Sequence, residues 1–188
     1  GVEGGGGVYR VWPGREPPER IVVEGDDSSA AYFAAAAAVT GGEVRLRGLA
    51  AASAQGDRRF LDLLERMGAG VTVEEDAIRV AARHPLRAVD VDLGDMPDQV
   101  PTLAALAPFA RGTTRIRGVP HLRLKESDRL GAMATELRRV GASAEERSDG
   151  VEMPGGWHRT APPCHGGAVG TDDDQRNAMG LALDELSR

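Results

Sequence analysis

The sequence contains an internal repeat, and this repeat restricts the possible folds more than any other feature. The block from Gly25 to Leu49 has an acid-rich turn, an Ala-rich stretch, a Gly break and a run that alternates Arg with apolar residues. The block from Gly94 to Val119 follows the same order. Four residues recur 70 positions later: Gly42, Arg45, Arg47 and Gly48 correspond to Gly112, Arg115, Arg117 and Gly118. Such a repeat predicts a fold assembled from similar supersecondary units.

The segment that follows each block repeats as well. "GDRRFLDLLERMGAGV" and "ESDRLGAMATELRRVGA" both predict a helix that ends near a glycine. Their apolar residues have helical spacing and are expected in the core, namely Leu61, Leu64, Met67, Leu130, Met133 and Leu137. A hairpin is expected behind each helix, with turns at Glu75–Asp76 and Ser148–Gly150. Each unit therefore reads as strand, helix, strand, helix, hairpin.

These units predict an α/β (α+β) fold of βαβαββ repeats, with helices that cover one face of a small sheet. We expect one incomplete domain, with an entry segment at residues 1–20, unit one at 21–83, unit two at 84–153 and the start of unit three at 154–188. By extrapolation from the first two units, about 45 residues would complete the third. The N-terminal segment lacks the apolar region of a signal peptide and reads like the middle of a longer protein.

Composition and charge restrict the class of protein. Hydrophobic residues make up 41% of the 188 residues and aromatic residues only 4%, so the core must consist of Ala, Leu and Val. The net charge of −6 implies no general attraction to nucleic acid or to a membrane. No apolar run is long enough to span a bilayer. Cys164 is the one cysteine, which excludes an internal disulfide and fits a reducing compartment.

Acidic residues precede the first helix of every unit. Capping of free backbone N–H groups is the ordinary explanation, and Asp27 or Ser28 is the expected cap of the first helix. If the units pack around a pseudo-threefold axis, three helix N-termini would face one region suited to anions, bordered by Asp98 and Asp174. Arg176 would lie just inside the third helix, where a cation is unfavourable, which suggests either a functional role or a salt bridge to its acidic neighbours at 172–173.

The stretch "KESDR" at residues 125–129 would open another helix with two cations and two acids. Lys125 and Arg129 are four residues apart and would share a helix face, with Glu126 between two positive charges. Such a group can hold a general acid and clamps for anions. A solvated, structurally paired helix start has the same composition, so both interpretations stay open.

Taken together, five segments resemble the EPSP synthase (3-phosphoshikimate 1-carboxyvinyltransferase) family. They read "VEGDDSSAAYFAAAAAVTGG", "QGDRRFLDLLERMGAGV", "DMPDQVPTLAALAPFARGTTRIRGV", "LRLKESDRLGAMATELRRVGA" and "DDDQRNAM". The resemblance runs from about Tyr9 to Leu183 and corresponds to the domain that carries the second half of the family's sequence. It implies a two-domain enolpyruvyl transferase fold with three βαβαββ units in each domain.

The resemblance implies an activity and two substrates. The family transfers the enolpyruvyl group of phosphoenolpyruvate to shikimate 3-phosphate and releases phosphate, without a metal or an organic cofactor. By motif, Asp98 corresponds to the acid proposed to take the ring hydroxyl proton, and Glu126 to the acid proposed to protonate the methylene carbon and later remove that proton. The matching substrate-binding residues are Lys125 for shikimate 3-phosphate, Arg129 for the phosphoenolpyruvate carboxylate, Asp174, Arg176 for phosphoenolpyruvate, and His121.

The third-unit motif departs from the family's Asp-His-Arg-Met-Ala-Met. Gln175 replaces His and cannot titrate, while Asn177 replaces Met and would place an amide where packing is expected. The other domain, which is a possible partner, and the last part of this domain would supply further substrate-binding residues. We therefore expect little or no turnover by the chain alone.

Three alternatives remain. One is a catalytically inactive fragment or binding module of the same fold, and another is the sister enolpyruvyl transferase acting on UDP-N-acetylglucosamine, against which "KESDR" argues. A metal site at Cys164–His165 would lack the spaced ligands of a structural zinc site. The Ala, Gly and Arg content suggests a bacterial cytoplasmic protein.

Overall fold

The computed structural model describes residues 2–14, 19–49, 53–82, 85–125, 127–156, 168–171 and 173–186, with the backbone alone for 184–186. Five helices are present in this part of the chain: α1 Asp27–Thr40, α2 Phe60–Met67, α3 Val100–Leu106, α4 Arg129–Arg139 and α5 Gln175–Leu186. The strands are β1 Val2–Gly5, β2 Val8–Val11, β3 Glu43–Arg47, β4 Gly70–Val73, β5 Ala77–Ala81, β6 Asp90–Asp92, β7 Thr113–Arg117, β8 Glu145–Arg147 and β9 Gly150–Pro154. The mixed α/β class is the predicted one.

The strands form three small sheets. β1 and β2 make an antiparallel hairpin whose residues are all exposed. The second sheet has the order β3-β5-β4, all antiparallel. The third has the order β6-β7-β9-β8, in which β6 is parallel to β7 and the remaining pairs are antiparallel. Residues 90–154 thus run strand, helix, strand, helix, hairpin.

The helices pack together into one apolar core. All six residues expected at helical spacing on α2 and α4 are buried, with Leu61 the most exposed at 9%. Helix α1 contributes alanines, among them Ala34 and Ala35, whose small side chains let helices approach closely. Leu181 and Leu183 bring α5 into the same cluster. Both predicted hairpin turns are found, between β4 and β5 and between β8 and β9.

The first strand expected in unit one is absent from the described residues. Ile21, Val22 and Val23 lie in an irregular segment and are 71%, 83% and 87% exposed. In unit two the corresponding strand, β6, pairs with β7 over three residues. At the corresponding place in unit one, the Gly25 N–H donates to the Gly48 carbonyl at 2.9 Å, and one such bond does not make a ladder.

Two helix starts differ from expectation. Asp26, not Asp27 or Ser28, caps α1, because its Oδ1 accepts a hydrogen bond from the Ser28 N–H at 2.9 Å. Helix α4 starts at Arg129, because the Asp128 carboxylate accepts the Gly131 N–H at 3.0 Å and ends the preceding irregular segment. Lys125 has an extended backbone, so the prediction that it shares a helix face with Arg129 is wrong.

Candidate functional site

Four of the residues predicted for the site come together at helix starts. Asp98 lies in a 3-10 turn, Pro97–Gln99, that leads into α3, and Arg129 is the first residue of α4. Asp174 directly precedes α5, and Arg176 lies in the first turn of that helix. Since 45 residues separate Arg129 from Asp174 and 31 separate it from Asp98, only the packing of the units can produce this group.

The four side chains form a continuous chain of ion pairs. Arg129 Nε donates to Asp174 Oδ2 at 2.7 Å, and Arg129 Nη1 donates to Asp98 Oδ1 at 3.1 Å. The other oxygen of Asp98, Oδ2, lies 3.0 Å from Nη2 of Arg176. Asp98 therefore bridges two guanidinium groups, each of which offers the planar donor pattern that suits a carboxylate or a phosphate.

Burial differs between the two ends of this chain. The side chains of Arg129 and Asp174 are 3% and 2% exposed, whereas those of Asp98 and Arg176 are 34% and 29% exposed. The buried end is held by paired charges, as buried ions must be. A ligand would reach the group from the Asp98 and Arg176 end, where solvent already has access.

Asp174 has two structural tasks at once. Its Oδ1 accepts the backbone N–H groups of Arg176 at 2.9 Å and of Asn177 at 3.4 Å, so it caps α5, while its Oδ2 binds Arg129. Burial by itself would raise the pKa of Asp174, but the hydrogen bond and the positive charge from Arg129, with the two backbone donors, outweigh burial and lower it. The carboxylate therefore stays charged to lower pH than an ordinary aspartate does.

Helices α3 and α5 start at the same end of the molecule and run side by side. Asp98 meets Arg176 near the two helix starts, and one turn further along Gly180 lies against Pro101. A Cβ atom on Gly180 would come within 3.0 Å of the Pro101 carbonyl oxygen, so a glycine permits this close packing.

The start of α1 lies beside the start of α3. Asp57 Oδ2 accepts a hydrogen bond from Ser28 Oγ and another from Gln99 Nε2, the latter at 2.9 Å. All three helix starts thus lie in one region, as the hypothesis of a common anion site requires. Their N–H groups add a positive field to that of the two arginines.

Tyr32 of α1 lies beneath this group. Burial raises the pKa of its phenol, and the positive charge of Arg176 offsets only part of the rise. The side chain is 6% exposed, and Tyr32 Oη makes no hydrogen bond to a described residue. Thr102 Oγ1 and both amide atoms of Asn177 are likewise buried and unpaired within the described part of the chain. These polar side chains belong to α1, α3 and α5, the three helices whose starts meet here.

Of the remaining predicted residues, the two that the structure describes, His121 and Lys125, do not join the four. His121 lies in the 3-10 turn Pro120–Leu124 and Lys125 follows it; both are exposed, and neither forms an ion pair with any residue the structure describes. Glu126 lies outside the described residues, as do Cys164 and His165. Among the residues that are described, no three His, Cys, Asp or Glu side chains form a group able to hold a metal ion. No helix there has the length and apolar character needed to cross a bilayer.

Sequence patterns missed several residues of this region. A functional role and a salt bridge to 172–173 were the two explanations for Arg176, and its ion-pair partner among the described residues is Asp98, 78 positions away. Gln99 stands next to a predicted residue and Asp57 matches Asp128 in the repeat, so both carried a weak signal. Nothing in the local sequence of Tyr32 indicated that it lies close to Arg176.

The sequence model described as EPSP synthase (3-phosphoshikimate 1-carboxyvinyltransferase) matches residues 2–186. The chain is 53% identical over 173 residues to a 3-phosphoshikimate 1-carboxyvinyltransferase of Syntrophobacter fumaroxidans, which covers 91% of this chain and 40% of the relative. It is 47% identical over 172 residues to the protein of the same name from Salmonella arizonae, covering 90% of this chain and 38% of the relative. The chain thus spans about 40% of the length of these curated relatives.

A solved structure is similar as well. An EPSP synthase from Acinetobacter baumannii superimposes with a TM-score of 0.79 and 26% sequence identity. The superposition covers 99% of this chain and 44% of that protein. The sequence comparison and the structural comparison therefore indicate the same family.

Proposed function

The chain belongs to the EPSP synthase family, and on that premise we propose that it is one half of a 3-phosphoshikimate 1-carboxyvinyltransferase. The complete enzyme would transfer the enolpyruvyl group of phosphoenolpyruvate to shikimate 3-phosphate and release inorganic phosphate, a step toward chorismate and the aromatic amino acids. The observation that carries this proposal is the bridge made by Asp98 between a buried Arg129 and an accessible Arg176, beside three helix starts.

The geometry suits recognition of a small anion with two charged groups. Arg129 is fixed by Asp174 and offers a guanidinium edge toward Asp98, and Arg176 offers a second edge from the solvent side. A substrate carboxylate or phosphate can take the place of the Asp98 oxygens, because its charge and shape match theirs. Phosphoenolpyruvate carries both groups on three carbons. In this proposal Arg129 holds the carboxylate of phosphoenolpyruvate, and Arg176 also contacts phosphoenolpyruvate. Asp174 keeps both arginines in place.

Release of Asp98 from the arginines would free a base for the reaction. In the proposed mechanism a proton adds to the methylene carbon of phosphoenolpyruvate, and the sugar-ring oxygen bonds to C2 while Asp98 takes its proton. The tetrahedral adduct then loses phosphate from C2 and a proton from the methyl group, which forms the enol ether. Glu126 is the proposed donor and acceptor at the methyl carbon. Lys125 is proposed to contact shikimate 3-phosphate, and His121 is proposed as a further substrate-binding residue; both are exposed.

The proposal also includes the domain organisation and the location of the protein. We assign residues 1–188 to one incomplete domain, divided at 20, 83 and 153 as the repeat predicts. The part of the relatives that this chain does not span would close over the site and exclude water. One cysteine and the Ala, Gly and Arg content favour a bacterial cytoplasmic location.

Titration with phosphoenolpyruvate, followed by NMR of the arginine Nε–H signals, tests the proposal. We expect the Arg129 and Arg176 signals to shift together and to saturate. Arg79 is the control within the same spectrum, because it lies on strand β5 and pairs with Glu43 of the neighbouring strand β3. Arg176→Gln should abolish saturation. Equal shifts at Arg79, or none at Arg129 and Arg176, would contradict phosphoenolpyruvate binding.

Two alternatives predict different results. An inactive module of the same fold, favoured by the unpaired amide of Asn177, should give no saturable shift. An enolpyruvyl transferase for UDP-N-acetylglucosamine should respond to that sugar nucleotide and not to shikimate 3-phosphate. Titration of the chain with each compound, in the presence of phosphoenolpyruvate, separates these functions.

A further inference from the structure

Glu136 is a charged residue in a buried position of α4. Its exposed fraction is 5%, and it faces a segment of the third unit. Counted back from the Gly-Ala pair that follows each helix, Glu136 corresponds to Leu63 of α2 in the first unit. Leu63 is 3% exposed and apolar, as an inward-facing helix position normally is. A carboxylate at this position of the second unit calls for a specific partner.

The partner is the chain segment that leads to the site. Glu136 Oε2 accepts the Gly170 backbone N–H at 2.8 Å and a hydrogen bond from Arg139 Nη1 at 2.9 Å. A Cβ atom on Gly170 would lie 3.3 Å from Glu136 Oε1, so the backbone at Gly170 lies directly against the carboxylate. A backbone amide and a guanidinium therefore satisfy the buried charge.

Helix α4 holds the third unit at two points on one face. Arg129 and Glu136 are seven residues apart, which is two helical turns, so their side chains lie on the same side of α4. Arg129 binds the Asp174 carboxylate, and Glu136 binds the Gly170 N–H. Between these points the Asp174 N–H donates to the Thr171 carbonyl at 2.9 Å and closes a turn. The two attachments fix the position and the direction in which α5 begins.

We propose that Glu136 is a positioning residue of the site. It holds residues 168–171 so that Asp174 meets Arg129 and so that α5 starts where Arg176 reaches Asp98. Glu136 does not touch the proposed substrate, and its effect on phosphoenolpyruvate rests on the proposed function. Its effect on the arrangement of Arg129 does not.

Two substitutions in Glu136 and a matched control test the proposal. Glu136→Ala removes the acceptor, and Glu136→Gln keeps a carbonyl oxygen that can still accept the Gly170 N–H. Glu65→Ala is the control, because Glu65 is an exposed glutamate on α2 whose side chain forms no ion pair with a described residue. The measurements on the whole 188-residue chain are hydrogen exchange of the Gly170 amide, the Arg129 Nε–H signal, and phosphoenolpyruvate affinity.

We expect Glu136→Ala to speed exchange at Gly170, to shift or broaden the Arg129 Nε–H signal, and to weaken phosphoenolpyruvate binding about tenfold, the loss of one charge-assisted hydrogen bond. Glu136→Gln should lie between this variant and the wild type, and Glu65→Ala should match the wild type. If Glu136→Ala does not fold, Glu136→Gln and Gly170→Ala, which crowds the same contact from the other side, should give the same changes in weaker form.

An Arg129 signal and an affinity unchanged in all the folded variants would overturn the proposal and leave Glu136 with a local role. If the wild-type chain does not bind phosphoenolpyruvate, the proposed function fails. The Arg129 signal then still decides whether Glu136 positions the third unit.

Discussion

Among single residues, Arg129 and Asp174 determine the character of the site. Both are almost fully buried, and a buried ion without a partner would be unstable by several kcal/mol. Each is therefore held in place by the other, and Nη1 of the guanidinium also binds Asp98. The Arg129 side chain is therefore oriented before a ligand binds, which reduces the loss of conformational entropy on binding.

The lowered pKa of Asp174 predicts how stability depends on pH. A carboxylate with a depressed folded pKa stabilises the protein above its unfolded pKa of about 3.9, and this contribution is lost as pH falls through the folded pKa. Asp174→Asn should therefore flatten the acid limb of a plot of unfolding free energy against pH below about pH 5. Asp62→Asn, at an exposed position of α2, should leave the limb unchanged. An unaltered limb in Asp174→Asn would contradict the assignment.

At Asn177 we predict that a substitution increases the free energy of unfolding. The side chain is 1% exposed, and neither amide atom has a partner among the described residues. Asn177→Met replaces an unpaired buried amide by a flexible apolar chain and should stabilise the protein by about 1–2 kcal/mol. Urea unfolding measures the difference. Gln175→His is the control, because position 175 is exposed and should leave the free energy of unfolding within about 0.5 kcal/mol.

Among the elements, the starts of α1, α3 and α5 matter more than the sheets. Short polar contacts hold the helix starts together, with Asp57 between α1 and α3 and with Asp98 between α3, α4 and α5. The sheets stay small and separate, and the β1–β2 hairpin is exposed on all its residues. A two-stranded hairpin gains little stability by itself in water.

The Asp57 contact can be tested as a junction between units. Asp57→Ala leaves Gln99 Nε2, on a fully buried residue, without its acceptor and should cost about 2–3 kcal/mol. Asp62→Ala on the neighbouring helix is the control and should cost little, since its side chain is exposed. In a double-mutant cycle Asp57→Ala and Gln99→Ala should be less than additive. Strict additivity would show that the contact does not join the units.

On the scale of the whole molecule, we propose that the chain presents an open half of a site. It spans about 40% of the length of its relatives, and the group of four charges faces solvent at its Asp98 and Arg176 end. Proximity of two substrates and exclusion of water both need a second wall. The arrangement supports binding of an anion better than it supports turnover.

We therefore predict little or no formation of enol ether by the chain alone. Phosphate release from phosphoenolpyruvate and shikimate 3-phosphate should stay at the level of a sample without protein, even where the NMR titration shows binding. Arg176→Gln serves as the matched inactive variant. Turnover at an ordinary enzymatic rate of about 1–10³ per second would contradict the prediction.

The sequence determined the repeat, the helical cores and the family. Leu64 and Leu137 could be placed in the core because apolar periodicity is a local property of a helix. The resemblance also identified Asp98, Arg129, Asp174 and Arg176 as candidate site residues, and these are the four that the fold brings together. The sequence contains this information because each motif lies at the start of a helix and can be recognised locally.

Only the tertiary structure decided which partner each charge has. Asp98 meets Arg176 across 78 positions, and Glu136 meets Gly170 across 34. A charged residue in a sequence has many acids or bases within reach, and the choice depends on how rigid units pack. That packing is set by the sum of many close contacts, such as that of Gly180 with Pro101, so no single residue pair in the sequence predicts it.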